Sequence, residues 1–134
     1  MTLDPVAASE CVTTEHAAVV AGVGACADAV ADSWDGPTTS DGTALAEALE
    51  SCLAEAGVLD ALPGVLAAAV EAAGGSLPAE PVAGPPYVAV TSRGPVLRAT
   101  LDGGRLVVEL RAFRLTDGNR YARSDGVAVE ASVR

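Results

Sequence analysis

The side chains that could support acid–base or nucleophilic chemistry are few and scattered in this 134-residue sequence. His16 is the single histidine, and in a helix its turn neighbours include Val12 and Val19. No serine or cysteine lies three or four residues from it, and the sequence contains no GxSxG nucleophile motif. The sequence therefore predicts no catalytic residue, and a small enzyme without a recognisable motif is only the second alternative.

Ligand motifs for metals and phosphates are likewise missing. Three aspartates lie in or beside a Gly/Ser/Thr-rich loop at positions 32, 35 and 41, but their spacing does not match a calcium-binding loop. The Gly22-Val23-Gly24 segment lacks the full GxGxxG pattern and a preceding strand. Cys11, Cys26 and Cys52 form no CxxC pair, which favours buried apolar roles. We therefore predict no metal site and no cofactor.

Arginines on one predicted strand face are the best candidates for function. Arg98, Arg105 and Arg111 alternate onto the side opposite the apolar residues. Phe113 and Leu115 follow Arg111 at two-residue spacing, so we expect all three to project together. Aromatic residues and arginine are enriched at interfaces. The predicted interaction residues are Arg98, Arg111, Phe113 and Leu115.

Two other interpretations of these arginines stay open. An arginine face with an aromatic ring can bind nucleotide or nucleic acid through phosphate contacts and stacking. A purely structural role is also possible, because Arg98 is expected to face Glu109 across a hairpin. The net charge of −10 repels polyanions. We therefore expect nucleic acid to be a poor partner and favour a second copy of the chain or another protein.

Charge is distributed unevenly along a chain that contains no lysine. Residues 1–92 hold 13 carboxylates and no arginine, whereas residues 93–134 hold all eight arginines and five carboxylates. At molar salt the Debye length falls to about 3 Å, so crowded surface carboxylates hardly repel one another. This acidic composition, with its small apolar residues, is typical of proteins from a very salty cytoplasm.

A membrane location is not expected from the hydropathy pattern. The longest uncharged apolar run, Ala17 to Ala27, is about half of the ~20 residues that a membrane-spanning helix needs. The segment before Cys26 resembles a lipoprotein signal only faintly, because residues 1–25 contain no lysine or arginine. The sequence predicts a soluble, cytoplasmic protein.

Apolar periodicity predicts three helices in the first part of the chain. The first runs from Pro5 to about Trp34, the second from a cap at Ser40 or Asp41 to Gly57, and the third from Leu59 to the Gly74-Gly75 pair. Gly22 and Gly24 lower the helix propensity of the first, so we expect a close helix crossing there. Residues 77–86 hold four prolines and form an extended connector.

The period then changes to two, which predicts strands. Their expected ranges are Tyr87–Ser92, Pro95–Leu101, Arg105–Leu115 and Val127–Val133. Turns at Arg93-Gly94 and Gly103-Gly104 would pair Val90 with Leu97, and Leu97 with Leu110, on one apolar face. The expected fold is a single α+β domain of residues 1–134. Three N-terminal helices (1–76) pack on one face of an antiparallel meander of about four strands (87–134), after the connector 77–86.

The stretch PYVAVTSRGPVLRATLDGGRLVVELRAFRLTDGNRYAR, together with the lysine-free acidic composition, resembles small uncharacterised acidic proteins of halophilic archaea. The resemblance covers residues 86–123 and implies no site residue. The favoured function is a non-enzymatic interaction or assembly protein that uses its sheet face or edge. The first alternative is a sheet-face binder of nucleotide or nucleic acid.

Overall fold

The computed structural model describes residues 2–134, so Met1, the first residue of the expected helical part, lies outside the described residues. The chain has an α+β fold with its helices N-terminal to most of an antiparallel sheet. The helices are α1 Pro5–Glu15, α2 Ala17–Asp32, α3 Gly42–Glu55 and α4 Val58–Ala72. The strands are β1 Thr38–Thr39, β2 Val88–Thr91, β3 Gly94–Leu101, β4 Gly104–Thr116 and β5 Arg120–Val133. Within residues 2–134 there are thus four helices instead of three, and five strands instead of four.

The additional helix arises at His16, where the expected first helix breaks in two. His16 has φ −120° and ψ 31°, which is not helical. The hydroxyls of Thr13 and Thr14 donate to the carbonyls of Ser9 and Glu10, and such back-bonding often bends a helix. The break lets α1 pack mainly on α4 while α2 packs on α3. One straight helix could not make both contacts.

Local signals set the ends of α3 as the sequence predicts. The Asp41 side chain accepts a hydrogen bond from the amide of Ala44 at the start of α3. Gly57 ends that helix with φ +76°, a conformation that favours glycine. The close crossing expected at Gly22 is confirmed, because a Cβ there would lie 2.7 Å from Cγ2 of Val58. Pro63 lies inside α4, beyond its expected first-turn position.

The sheet has the strand order β1-β5-β4-β3-β2, and every neighbouring pair is antiparallel. Strands β2 to β5 form the predicted meander. The fifth strand, β1, comes from the loop after α2 and pairs with β5 through Thr38 and Thr39. A two-residue strand carries too little alternation to be recognised in the sequence.

The buried face is predicted correctly for β2, β3 and β4 as far as Arg111, but the strand register is wrong by two residues. Arg98 lies opposite Val107 and not opposite Glu109. The turns consist of Ser92-Arg93 and Asp102-Gly103, each one residue earlier than expected. A shift of two residues preserves the alternation of faces. Of the expected inner residues, Val90 is half-buried and the others named here are buried: Val88, Leu97, Ala99, Leu106, Val108 and Leu110.

One hydrophobic cluster joins the helices to the inner face of the sheet. It includes residues from all four helices and from β2, β3 and β4, with Leu49, Leu66 and Leu97 fully buried. Among residues 2–134, no single helix is long and apolar enough to cross a membrane. Helices α3 and α4 pass such a test only as a pair, and they are bent by 88° at their junction.

Candidate functional site

Two of the three cysteine thiols, those of Cys11 and Cys26, have raised pKa values. Burial raises the pKa of the Cys11 thiol, helped by a 3.2 Å hydrogen bond to the Glu15 carboxylate. Burial, followed by a hydrogen bond with Cys52, raises the pKa of Cys26 to about 12. Both thiols therefore remain protonated, and unreactive as nucleophiles, near neutral pH. His16 lies at the α1–α2 junction. Across residues 2–134 there is no cluster of three metal-binding side chains.

The side of the sheet that faces away from the helices, here called the outer face, carries the predicted arginines. Its residues alternate with the buried ones: Ala89 of β2, Val96, Arg98 and Thr100 of β3, Arg105, Val107, Glu109 and Arg111 of β4, and Ala128, Glu130 and Ser132 of β5. Val107, at its centre, is only 3% exposed. Its neighbours across the strands are Arg98 of β3 and Ser132 of β5.

Arg111 is held by two carboxylates of its own chain. Its Nη2 lies 2.6 Å from Glu109 Oε2, and its Nη1 lies 3.1 Å from Glu130 Oε2. Such surface pairs contribute at most about 1 kcal/mol each, but they occupy the guanidinium donors. These ion pairs therefore support a structural role for Arg111, one of the interpretations that the sequence leaves open. The intramolecular carboxylate partner predicted for Arg98 is instead the partner of Arg111.

Phe113 does not share the outer face with Arg111, and this prediction is wrong. Phe113 is 0% exposed, and its ring centroid lies 5.7 Å from that of Trp34. The strand pairing of β4 with β5 is irregular between Arg111 and Phe113. The amides of Ala112 and Phe113 both donate to the carbonyl of Arg93, which marks a β-bulge. The extra residue reverses the alternation of side chains and turns Phe113 into the core.

Leu115 is separated from the other candidates by the same bulge. It is 48% exposed and lies opposite Tyr121 near the end of the β4–β5 hairpin. Alternation places it on the side of Phe113 and not on the outer face. The four predicted interaction residues therefore form no single patch. Only Arg98 and Arg111 share a face, and they lie roughly 13 Å apart along the strand direction.

A groove beside Arg98 is the most distinctive feature of the outer face. It has a volume of about 470 Å³ and is called the connector groove here. Arg98, Thr100 and Arg105 line it on the strand side. The proline-rich connector lines it on the other side through residues 77–78, Pro85 and Pro86, together with Tyr87, the residue that follows the connector. A turn in which the amides of residues 87 and 88 donate to the Gly84 carbonyl brings the connector into β2.

The electrostatics of the connector groove differ from those of the chain as a whole. None of its lining residues is acidic, although the chain carries 18 carboxylates and eight basic side chains. Arg98 and Arg105 are exposed, and among residues 2–134 neither side chain makes a hydrogen bond or ion pair. Their guanidinium donors are available to an external anion. A groove of this size and lining can hold a carboxylate next to an apolar group.

A second, broader groove lies between the end of α2 and the β4–β5 hairpin, lined by Trp34, Arg114 and Arg123 among others. Its arginines are already engaged. Arg123 pairs with Asp28, and Arg114 donates to the carbonyl of Arg123. This groove therefore offers fewer free donors than the connector groove.

The sequence places Arg98 correctly on the outer face but does not reveal most of the connector groove. Arg105 is expected on the same face without being a predicted site residue, and Tyr87 is expected only as part of a strand. The available signal is a proline-rich segment that leads directly into an edge strand. Where that segment folds back against the sheet depends on tertiary contacts.

No curated protein and no solved structure matches the chain. One family model does, with the description "Domain of unknown function (DUF7988)", and it matches residues 6–134. An uncharacterised family is what the sequence predicts. Because the match covers nearly all of its residues, the chain belongs to the DUF7988 family.

Proposed function

We propose that this protein is a non-enzymatic protein-binding module whose outer face, at the connector groove, contacts an acidic segment of a partner protein. The observation that carries the proposal is the free pair Arg98 and Arg105. They line a groove without a carboxylate in a chain that has more than two carboxylates for every arginine. Charge complementarity selects an acidic partner, because charge-assisted hydrogen bonds to arginine are the strongest that the groove can offer.

Nucleotide or nucleic acid is a weaker candidate for the same surface. The aromatic ring expected to stack on bases, Phe113, is buried against Trp34. The net charge of −10 also opposes the approach of a polyanion much more than that of a short acidic peptide. Enzymatic activity has less support, because the thiols have raised pKa values.

Fluorescence anisotropy can test the proposal with three labelled probes: a synthetic peptide rich in Asp and Glu, its Asn/Gln counterpart, and a single-stranded oligonucleotide. We expect the acidic peptide to bind preferentially. The double substitution Arg98→Gln/Arg105→Gln should weaken binding at least about tenfold, since hydrogen bonds to charged groups contribute about 1.5–3 kcal/mol each.

The matched control is Arg114→Gln/Arg120→Gln, which removes the same charge from exposed arginines at the β4–β5 hairpin. It should leave affinity for the acidic peptide nearly unchanged. Equal losses from both double substitutions would indicate general electrostatic attraction and contradict the proposal. So would preferential binding of the oligonucleotide, or no binding of the acidic peptide.

We further propose that the protein works in the cytoplasm of a halophilic organism, where molar salt screens its surface carboxylates. Residues 1–92 hold 13 carboxylates without an arginine, so their mutual repulsion should lower the free energy of unfolding when salt is removed. We expect circular dichroism in a KCl series to show loss of native structure at low salt. A native spectrum at 50 mM KCl, identical to that at 3 M, would contradict this proposal.

A further inference from the structure

We infer that the connector groove selects a particular acidic motif: a carboxylate side chain and a large apolar side chain two residues apart in an extended segment. This inference rests on the proposed function and specifies the partner. It follows from the two different surfaces that meet in the groove, a pair of free arginines and an apolar wall of connector residues.

The two arginines are placed to hold one carboxylate together. Thr100 lies opposite Arg105, and Arg98 precedes Thr100 by two residues on the same strand. Arg98 and Arg105 are therefore diagonal neighbours, roughly 7–8 Å apart at the backbone, on the same face. Their long side chains can converge on one anion from two sides. Each guanidinium can donate two parallel hydrogen bonds to a carboxylate.

The opposite wall is apolar and stiff. Leu77, Pro78, Pro85 and Pro86 line it together with Tyr87. Proline rings lose little conformational freedom when a ligand binds, so the wall can receive an apolar side chain at small entropic cost. Tyr87 adds a ring with an apolar body and a polar hydroxyl, a combination enriched at interfaces. A fully polar acidic segment would leave this wall without a partner.

The spacing of the motif follows from strand geometry. Side chains i and i+2 of an extended segment project to the same side, roughly 7 Å apart. A groove of about 470 Å³ has room for only a few side chains. One carboxylate between the arginines and one apolar side chain against the connector satisfy both surfaces. Side chains at i and i+1 project to opposite sides, so only one of them could enter.

The apolar contact also affects the salt dependence of binding. Burial of a leucine-sized side chain is favourable and is not weakened by salt screening. Arginine–carboxylate attraction weakens as KCl rises. A segment with a carboxylate and an apolar side chain two residues apart should therefore retain measurable affinity in molar KCl. A segment with carboxylates alone should lose most of its affinity there.

Four labelled synthetic peptides with one common extended sequence test the motif by fluorescence anisotropy at 0.2 M and 3 M KCl. The first peptide carries Glu and Leu two residues apart. The second has Gln in place of Glu, and the third has Ser in place of Leu. The fourth carries Glu and Leu at adjacent positions. We expect the first to bind at least tenfold more tightly than each of the others at 0.2 M KCl. At 3 M KCl we expect it to retain measurable affinity, while the peptide with Glu and Ser loses most of its affinity. Circular dichroism at each concentration verifies that the protein is folded.

Two protein variants test which side of the groove recognises the carboxylate and which side recognises the apolar side chain. Arg98→Gln/Arg105→Gln should abolish the preference for Glu over Gln, and Pro78→Ser should reduce the preference for Leu over Ser. Binding of acidic peptides that depends on the arginines but not on the apolar residue or its spacing would overturn the motif and leave the proposed function standing. Failure of every acidic peptide to bind would overturn both.

Discussion

Replacing Gly94 with alanine is expected to lower the free energy of unfolding by about 4 kcal/mol, a large part of the total stability of a domain of this size. Gly94 begins β3 with φ +140°, a conformation that L side chains rarely adopt. A Cβ at this position would overlap the carbonyl oxygen of Leu110 and lie 3.1 Å from its carbonyl carbon. Rotation of a side chain cannot relieve this collision, because the obstacle is the backbone of β4.

Substitutions at two other glycines distinguish the free-energy cost of backbone strain from that of a steric collision. Gly57 has φ +76°, but a Cβ there would meet nothing within 4 Å, so Gly57→Ala should cost only the left-handed penalty of about 1–2 kcal/mol. Gly84 has neither a positive φ nor a close neighbour, so Gly84→Ala should be nearly neutral. Chemical denaturation in high salt, monitored by circular dichroism, gives the three values. A Gly94→Ala variant as stable as Gly57→Ala would show that β3 and β4 do not approach so closely.

Gly94 also explains why the strand register was not predictable while the buried face was. In a sequence, Arg93-Gly94 and Gly103-Gly104 look like two-residue turns, since glycine favours such turns. In the structure Gly94 and Gly104 are the first residues of their strands, with φ of +140° and +131°. Each turn therefore moves one residue earlier, and each register moves by two. Alternating apolar residues specify which face of the sheet is buried, but they cannot distinguish strand registers that differ by an even number of residues.

The error at Phe113 has a different physical origin. Sequence alternation assumes one residue for each step of the strand, and the bulge after Arg111 adds one. The position of the bulge depends on Arg93. The Arg93 carbonyl accepts hydrogen bonds from two amides of β4, and the Arg93 side chain donates from its Nε to the Phe113 carbonyl. These partners lie about 20 residues away in the sequence. Short-range patterns contain no information about such a contact.

The connector groove shows the same division between local and tertiary information. Alternation alone places Arg98 and Arg105 on the side away from the apolar residues. Composition alone identifies an extended, proline-rich connector. That the two meet in a groove without carboxylates depends on the path of residues 77–86 after α4, which the sequence pattern does not specify. The bulge of β4 and the four residues of β5 opposite it that have no partner in the strand register, 124–127, are likewise tertiary features, and one arginine side chain contacts both regions.

That side chain is Arg123, and its replacement by methionine is expected to lower the free energy of unfolding by about 3 kcal/mol. Its Nη1 lies 2.7–2.9 Å from the carbonyl oxygens of Ala112, Ser124 and Gly126, which share its two hydrogens. Its Nη2 lies 3.3 Å from the Gly24 carbonyl, and its Nε donates to Asp28. Thus one guanidinium joins α2 to the bulge of β4 and to residues 124–126 of β5. Without it, carbonyls in a partly buried region lose their donor, at a cost of about 1–3 kcal/mol each before water compensates.

Two further substitutions decide whether geometry or charge is responsible. Arg123→Lys should cost nearly as much as Arg123→Met, because an ammonium group is a compact charge that cannot reach acceptors spread around a planar guanidinium. Asp28→Asn should cost less than about 1 kcal/mol, since the Asp28 side chain is 67% exposed and surface ion pairs contribute little. Chemical denaturation at one fixed salt concentration provides the comparison. If Arg123→Lys is close to wild type, or Asp28→Asn is as damaging as Arg123→Met, the ion pair holds α2 to the sheet and the carbonyl network does not.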